Sequence, residues 1–383
     1  VNRSTTDTGT GGDTAMDAAT RARSVQHLAD RWIRDALAPG NPAEDGAGFV
    51  CSPAGLWLAL AAVAAGARGG TARELRALLG TADREAAPAV TEVARELAQT
   101  GALGVATRVW SRVPVERAYR EALPDVRFDA MDAAAADAWV REATGGLIER
   151  LPLRITDRTL LALVNVLALK ARWEKPFDAR RTRDLPFTDA SGTTRPVPTM
   201  ARDVAPADVW AVDGTYVVEL RCAAGPGGAG ARVRFVLGEP GAGPDRVLPA
   251  GWADRAAGTP PEADRVSIAL PRLTLRTRID VTGQLPALGV LLATSDAADF
   301  SGLSPVPLAV SAVVQEAVLK VAEEGVEAVA VTAVAMRFGS APPQPRRVLE
   351  LAFDRPFGIV VLPADGEVPL FTAWQAGTPA DPA

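Results

Sequence analysis

Histidine is almost missing from this chain: His27 is the only one in 383 residues. A Ser-His-Asp or Cys-His hydrolase needs an imidazole base. No nucleophile motif points to His27, so conventional hydrolysis is excluded. Cysteine is nearly as scarce. Cys51 and Cys222 form no C-x-x-C pair, which argues against a disulfide framework and against a zinc or other metal site. Lysine occurs only at Lys170, Lys175 and Lys320, and no basic cluster offsets the net charge of −5, so nucleic acid is not an expected partner. The preference for arginine, with 34 glycines and 30 prolines, reads as a GC-rich genome. Residues 1–22 are small and polar. They resemble a disordered tail and lack the apolar core of a signal peptide, which favours a cytoplasmic location. Phe49–Ala67 approaches the length of a membrane span, but Ser52, Pro53 and Gly55 interrupt its front. A buried core helix, with Cys51 as an inert thiol, fits that stretch better than a membrane partner. "GPGGAG" (225–230) has the letters of a dinucleotide fingerprint, yet a strand pattern follows it where a helix is required, so it reads as a hairpin loop.

What is present is 48% hydrophobic and long enough for a large core. Helical periodicity marks Ser24–Leu37, the run around Leu56–Ala65, Arg84–Ala98 and the segment containing Trp139. Thr71 and Glu74 have the spacing of a capping box, which makes Gly69 and Gly70 a turn between helices. Strand signals begin at Gly104–Trp110. Leu160–Trp173 is so continuously apolar that a central strand, covered on both faces, is predicted. Beyond it strands dominate: Val209–Cys222, Arg232–Leu237, Arg265–Arg276, Val310–Val321, Val348–Phe353, Phe357–Leu362 and Pro369–Trp374. Helices followed by strands, without repeats or a clear linker, read as an α+β chain with large antiparallel sheets in one unit spanning residues 23–376, and a short tail at 377–383.

One segment does not fit a compact domain. Glu323–Ser340 has no proline and is rich in alanine and valine, with Glu327 and Arg337 as charged punctuation. Val326, Ala328, Ala330, Thr332, Val334 and Met336 would share one face of a strand. An Ala-rich amphipathic helix satisfies propensity as well. The strand patterns on either side, and the stop at Pro342, Pro343 and Pro345, favour a strand-competent ribbon tethered at both ends.

That arrangement resembles the serpin (serine protease inhibitor) family, in its bacterial type, over Ser24 to Trp374. "AVLKVAEEGVEAVA" is similar to the family's hinge, "LVNVLALKARWEKPF" to its central-sheet segment, and "FVCSPAGL" to the start of its buried helix. "LPRLTL", "DFSGLS", "FDRPFGIVVL" and "PLFTAW" follow in the family's order. The resemblance implies the serpin fold: mostly antiparallel sheets, surrounding helices and an exposed reactive-centre loop at about 323–347. It implies a suicide-substrate inhibitor of a chymotrypsin- or subtilisin-like serine protease, held covalently. The molecule would be a monomer able to form loop–sheet polymers, neither an enzyme nor dependent on a cofactor. A non-inhibitory binding or carrier scaffold and an inhibitor of cysteine proteases are the alternatives.

By the same resemblance, Glu323, Glu324, Gly325, Val326, Glu327, Ala328, Ala330 and Thr332 form the hinge and inserting strand. A count from Glu323 puts the scissile bond at Gly339–Ser340, or at Phe338–Gly339 in a loop one residue shorter. Phe338 is preferred for its side chain, with Arg337 the choice for a trypsin-like target. Ser52, Asn165, Trp173 and Gln315 match the region where the sheet opens, Gln315 standing where histidine is common. Insertion of a strand about 45 Å long would yield on the order of 10–20 kcal/mol, against roughly 5–8 kcal/mol to disable a protease site.

Overall fold

The computed structural model describes residues 17–37, 48–98, 103–146, 148–151, 155–156, 159–169, 171–224, 230–326 and 347–382. Helix α1, Ala18–Trp32, starts where the Asp17 carboxylate accepts the Thr20 N–H at 2.7 Å. It buries Val25, Leu28 and Trp32 and runs on as a π-helix, Ile33–Leu37. This corrects the tail expected through residue 22: Ala18 onward is helical, because Asp17 supplies the cap. His27 lies on the exposed side of α1.

The apolar stretch 49–67 divides in two. Phe49–Cys51 belongs to strand β1 (Gly48–Cys51), and α2 occupies Pro53–Ala65. Cys51 is therefore a strand residue rather than a helical one. Pro53 sets the break, since its fixed φ suits a first helical turn, and the Ser52 hydroxyl accepts the Gly55 N–H. Almost all of α2 is buried, as an apolar surface on every side requires. No helix among the described residues is long and apolar enough to cross a membrane.

Helices α3 (Gly69–Leu79), α4 (Ala86–Ala98), α5 (Arg117–Ala122) and α6 (Ala133–Ala143) follow, and a one-turn helix, α7 (Pro244–Val247), comes later in the chain. The capping box is not made. Helix α3 already begins at Gly69, and its cap position, Arg68, offers no side-chain hydrogen bond. Thr71 instead accepts the Asp299 N–H, and the Glu74 carboxylate accepts the N–H groups of Leu292 and Ala293 at 2.8 and 3.1 Å. A local sequence signal is diverted to a tertiary contact.

The largest sheet orders β1, β17 (Phe371–Gln375), β16 (Phe357–Pro363), β10 (Ala231–Leu237), β9 (Thr215–Arg221) and β8 (Val209–Val212), with antiparallel neighbours throughout. Because β9 and β10 pair antiparallel, the glycine-rich letters between them connect a hairpin; 225–229 themselves lie outside the described residues. A second sheet orders β15 (Val348–Ala352), β11 (Arg265–Pro271), β7 (Thr194–Val204) and β6 (Arg183–Thr188). The sequence pattern missed β6 and β7 because prolines interrupt them. Pro196 and Pro198 lie where β7 has run past the β11 ladder, which ends at Thr199, so a missing N–H costs little there.

Two further strand groups complete the sheets. One orders β12 (Leu273–Asp280), β13 (Val314–Ala322), β14 (Gly325–Val326) and β5 (Ala171–Arg172). The other orders β3 (Arg127–Ala130), β2 (Leu103–Ser111) and β4 (Leu161–Leu169).

Replacing Glu74 by alanine removes the acceptor for two N–H groups at a helical turn, so native-state stability should fall by about 1 kcal/mol. Thermal unfolding of the intact protein measures this, and an unchanged transition would show that Glu74 is not a cap.

Candidate functional site

Strand β4 pairs with β2 along one edge, and β13 pairs with β12 along its far edge. Among the described residues no ladder joins β4 to β13. Between them lies a cavity of about 420 Å³, walled by Leu161, Ala162 and Val164 of β4 and by Gln315 and Ala317 of β13. Gly55, Leu56 and Ala59 of α2 line it too. An unpaired edge keeps backbone donors and acceptors that seek a partner. A single extended segment can satisfy both edges.

The top of this slot is taken. Glu323 and Glu324 form a two-residue turn that sends the chain from β13 straight back as β14. Gly325 stands opposite Ala322 on one side and Arg172 on the other; Val326 stands between Val321 and Ala171. The first residues of the expected ribbon are thus already paired as strand. Gly325 makes this possible: a Cβ there would sit 2.1 Å from the Ala171 carbonyl oxygen. Val326 is only 1% exposed.

Trp173 locks the turn from below. Its indole N–H donates to the Ala322 carbonyl, and its backbone N–H donates to that of Glu324, both at 2.9 Å. The Phe177 N–H donates to the Glu323 carbonyl at 2.9 Å. The Glu323 carboxylate accepts the Thr182 hydroxyl at 2.7 Å and lies 3.6 Å from the Arg272 guanidinium. Arg272 and Thr182 escaped the sequence reading. "LPRLTL" marked Arg272's neighbourhood, but nothing local says that it faces a carboxylate half the fold away.

The expected opening region comes together in part. Ser52 is buried and donates its hydroxyl to the Leu370 carbonyl at 2.5 Å. The Gln315 side-chain amide meets the Ser52 backbone in both directions: its oxygen accepts the Ser52 N–H at 2.7 Å and its nitrogen donates to the Ser52 carbonyl at 2.9 Å. A residue able to donate and accept is what this place uses. Asn165 stands in mid-β4 opposite Thr107; its side chain lies outside the described structure. Residues 327–346 also lie outside it, and with them Glu327, Ala328, Ala330, Thr332, Arg337, Phe338, Gly339 and Ser340. The chain is described again from Arg347, whose N–H donates to Asp264 at 2.9 Å and whose side chain donates to Glu262 at 3.1 Å.

A tethered ribbon whose first residues enter a slot in the central sheet has a counterpart among known families. The model of the family described as Serpin (serine protease inhibitor) matches residues 41–374. The chain belongs to the serpin family. Its relatives include Alpha-1-antiproteinase 2 of Equus caballus, 32% identical over 61% of this chain and 53% of that protein. Serpin-Z1A of Triticum aestivum is 28% identical over 84% of this chain and 87% of the wheat protein. The chain thus spans about half of the horse relative and most of the wheat one. Among solved structures, Serpin48 of the insect Tenebrio molitor superposes with a TM-score of 0.77 at 23% identity, covering 95% of this chain and 100% of that one. The horse and wheat relatives and this insect structure are eukaryotic, so the bacterial type expected with the resemblance gains no support from them. The family's description is that of an inhibitor rather than a catalyst, in line with the non-enzyme expectation. The mostly antiparallel sheets with surrounding helices are the expected fold.

Both thiols of this serpin are buried and uncrosslinked. Burial pushes the Cys222 thiol up to about 12 and raises that of Cys51 well above its usual range. A thiol is reactive only as thiolate. Iodoacetamide at pH 8 should therefore leave both unmodified in the native protein and label both after denaturation, as intact mass would read. Replacing Gln315 by leucine strands the Ser52 backbone N–H in a buried place, while the Ser52 carbonyl keeps the Leu56 N–H at 3.0 Å, at a cost of about 1–3 kcal/mol. Thermal unfolding of that variant should shift down; an unshifted curve would show the pairing to be dispensable.

Proposed function

We propose that this serpin is a suicide-substrate inhibitor of a chymotrypsin- or subtilisin-like serine endopeptidase. The observation that carries the reading is β14, seated between β13 and β5 at the head of the slot bounded by β4 and β13. The ribbon needs no new path to enter the sheet, only an end free to move. The target's serine attacks the Phe338 carbonyl, and the Phe338–Gly339 amide breaks. Its nitrogen departs as an amine carrying the proton that the target's histidine delivers, while the acyl ester remains. The severed ribbon then continues from Val326 down the slot, Ala328, Ala330 and Thr332 following on its inward face. The ester-bound protease is carried along before water can reach it. Gly339–Ser340 and the bond after Arg337 are the other candidate cuts. The reading takes the protein as a monomer, with loop–sheet polymers its failure mode.

Val326 favours inhibition over a carrier or binding role, because its small, uncharged side chain already sits buried in the sheet. A charge there would be unpaired in the interior and cost several kcal/mol. The experiment is incubation with chymotrypsin and subtilisin, read by denaturing electrophoresis. The wild type should give a complex that survives denaturation, and Val326→Glu should give only cleaved protein. Wild-type turnover without complex, or a Val326→Glu variant that still traps the protease, overturns the proposal.

A further inference from the structure

The hinge glutamate shares its arginine with a second acid from the far end of the chain. Arg272 is the single residue between β11 and β12, the point where the chain passes from one sheet to the other. Its backbone N–H is spent on the Pro198 carbonyl at 2.9 Å, which fixes where the side chain starts. The guanidinium lies between two carboxylates: its Nε is 3.0 Å from Asp381 and 3.6 Å from Glu323. Neither approach is aligned as a hydrogen bond to that nitrogen, so charge holds it in place. An Nη donates to the Pro382 carbonyl at 3.3 Å.

The segment after β17 is held along the way. The Thr378 hydroxyl reaches Asp189 at 3.4 Å, Pro379 is buried, and the Thr274 N–H of β12 donates to the Ala380 carbonyl at 2.7 Å. Asp381 therefore arrives beside Arg272 on an anchored backbone rather than on a loose end.

We infer that Asp381 is a positioning residue for loop insertion: it orients Arg272 so that the guanidinium holds Glu323, and with it the turn from which β14 enters the slot. Insertion must pivot on that turn. With Asp381 in place the turn is a fixed fulcrum; without it the Arg272 guanidinium keeps only the Pro382 carbonyl as an anchor, and the Glu323 carboxylate relies on Thr182. The inference rests on the insertion reading above for its role, but the clasp itself is measurable in the intact protein.

The test is hydrogen–deuterium exchange of the peptide spanning residues 316–326, followed by mass spectrometry. Asp381→Ala should speed exchange at Glu323–Val326 by about two- to fivefold, the range for one partly exposed ionic contact. Asp381→Glu should restore protection, which a merely structural role for the tail backbone would not require. Adding Asp381→Ala to Glu323→Gln should speed exchange no further than Glu323→Gln alone, since both act through Arg272. Unchanged exchange in Asp381→Ala, no rescue by glutamate, or additive effects overturn the inference. Protease trapping is scored in parallel on the same samples. Loss of trapping with the exchange pattern intact counts against the inhibitor reading and leaves the clasp standing.

Discussion

A backbone buried in a fold must find a partner for each N–H and carbonyl, and β4 and β13 turn theirs toward each other without joining. The remaining features of the central sheet can be read from that constraint. The slot cannot close by simple collapse, because α2 and the side chains of both strands hold its walls apart. It cannot be filled from outside without a strand-competent segment, and the chain carries one attached to the end of β13. The two-residue turn at Glu323 and Glu324 aims that segment into the slot, and Gly325 lets it pass the Ala171 carbonyl.

Two polar groups guard the slot at different heights. Near the top, Trp173, Thr182 and Arg272 hold the turn. Lower down, Gln315 ties the start of β13 to Ser52 at the head of α2. Both rely on neutral or charge-assisted hydrogen bonds worth about 1–3 kcal/mol each, weak enough to be exchanged during a rearrangement. The ladder that a full-length inserted strand would make holds roughly twice as many bonds as these two places together. On the proposed inhibitory reading, such a molecule would be stabilised by the slowness of its rearrangement as much as by the depth of its current minimum.

Much of this could be read from the sequence where period and punctuation were local. The helices of the first half, the hairpin around the glycine-rich letters and the strands of the C-terminal third follow from side-chain spacing. What stayed hidden was set by distance or competition. Cys51 was assigned to a helix because apolar letters run unbroken through Phe49–Val50–Cys51, and only its partner Thr372 makes it strand. Thr71 and Glu74 spell a cap, but the segment near residues 292–299 outbids their own helix for their oxygens. Pro196 and Pro198 hide β7, since nothing in the letters says that β11 ends before reaching them. Arg272 looks like any arginine between strands until Glu323 and Asp381 are placed beside it.

The central claim is that the intact fold stops short of its most stable arrangement. The most direct measurement is thermal unfolding of the intact protein beside the same protein nicked once within residues 327–346, with the cut located by mass spectrometry. A newly formed strand of ten or more net-stabilising hydrogen bonds predicts that the nicked form melts about 10 °C higher or more. A nicked form that melts at or below the intact temperature would contradict the account.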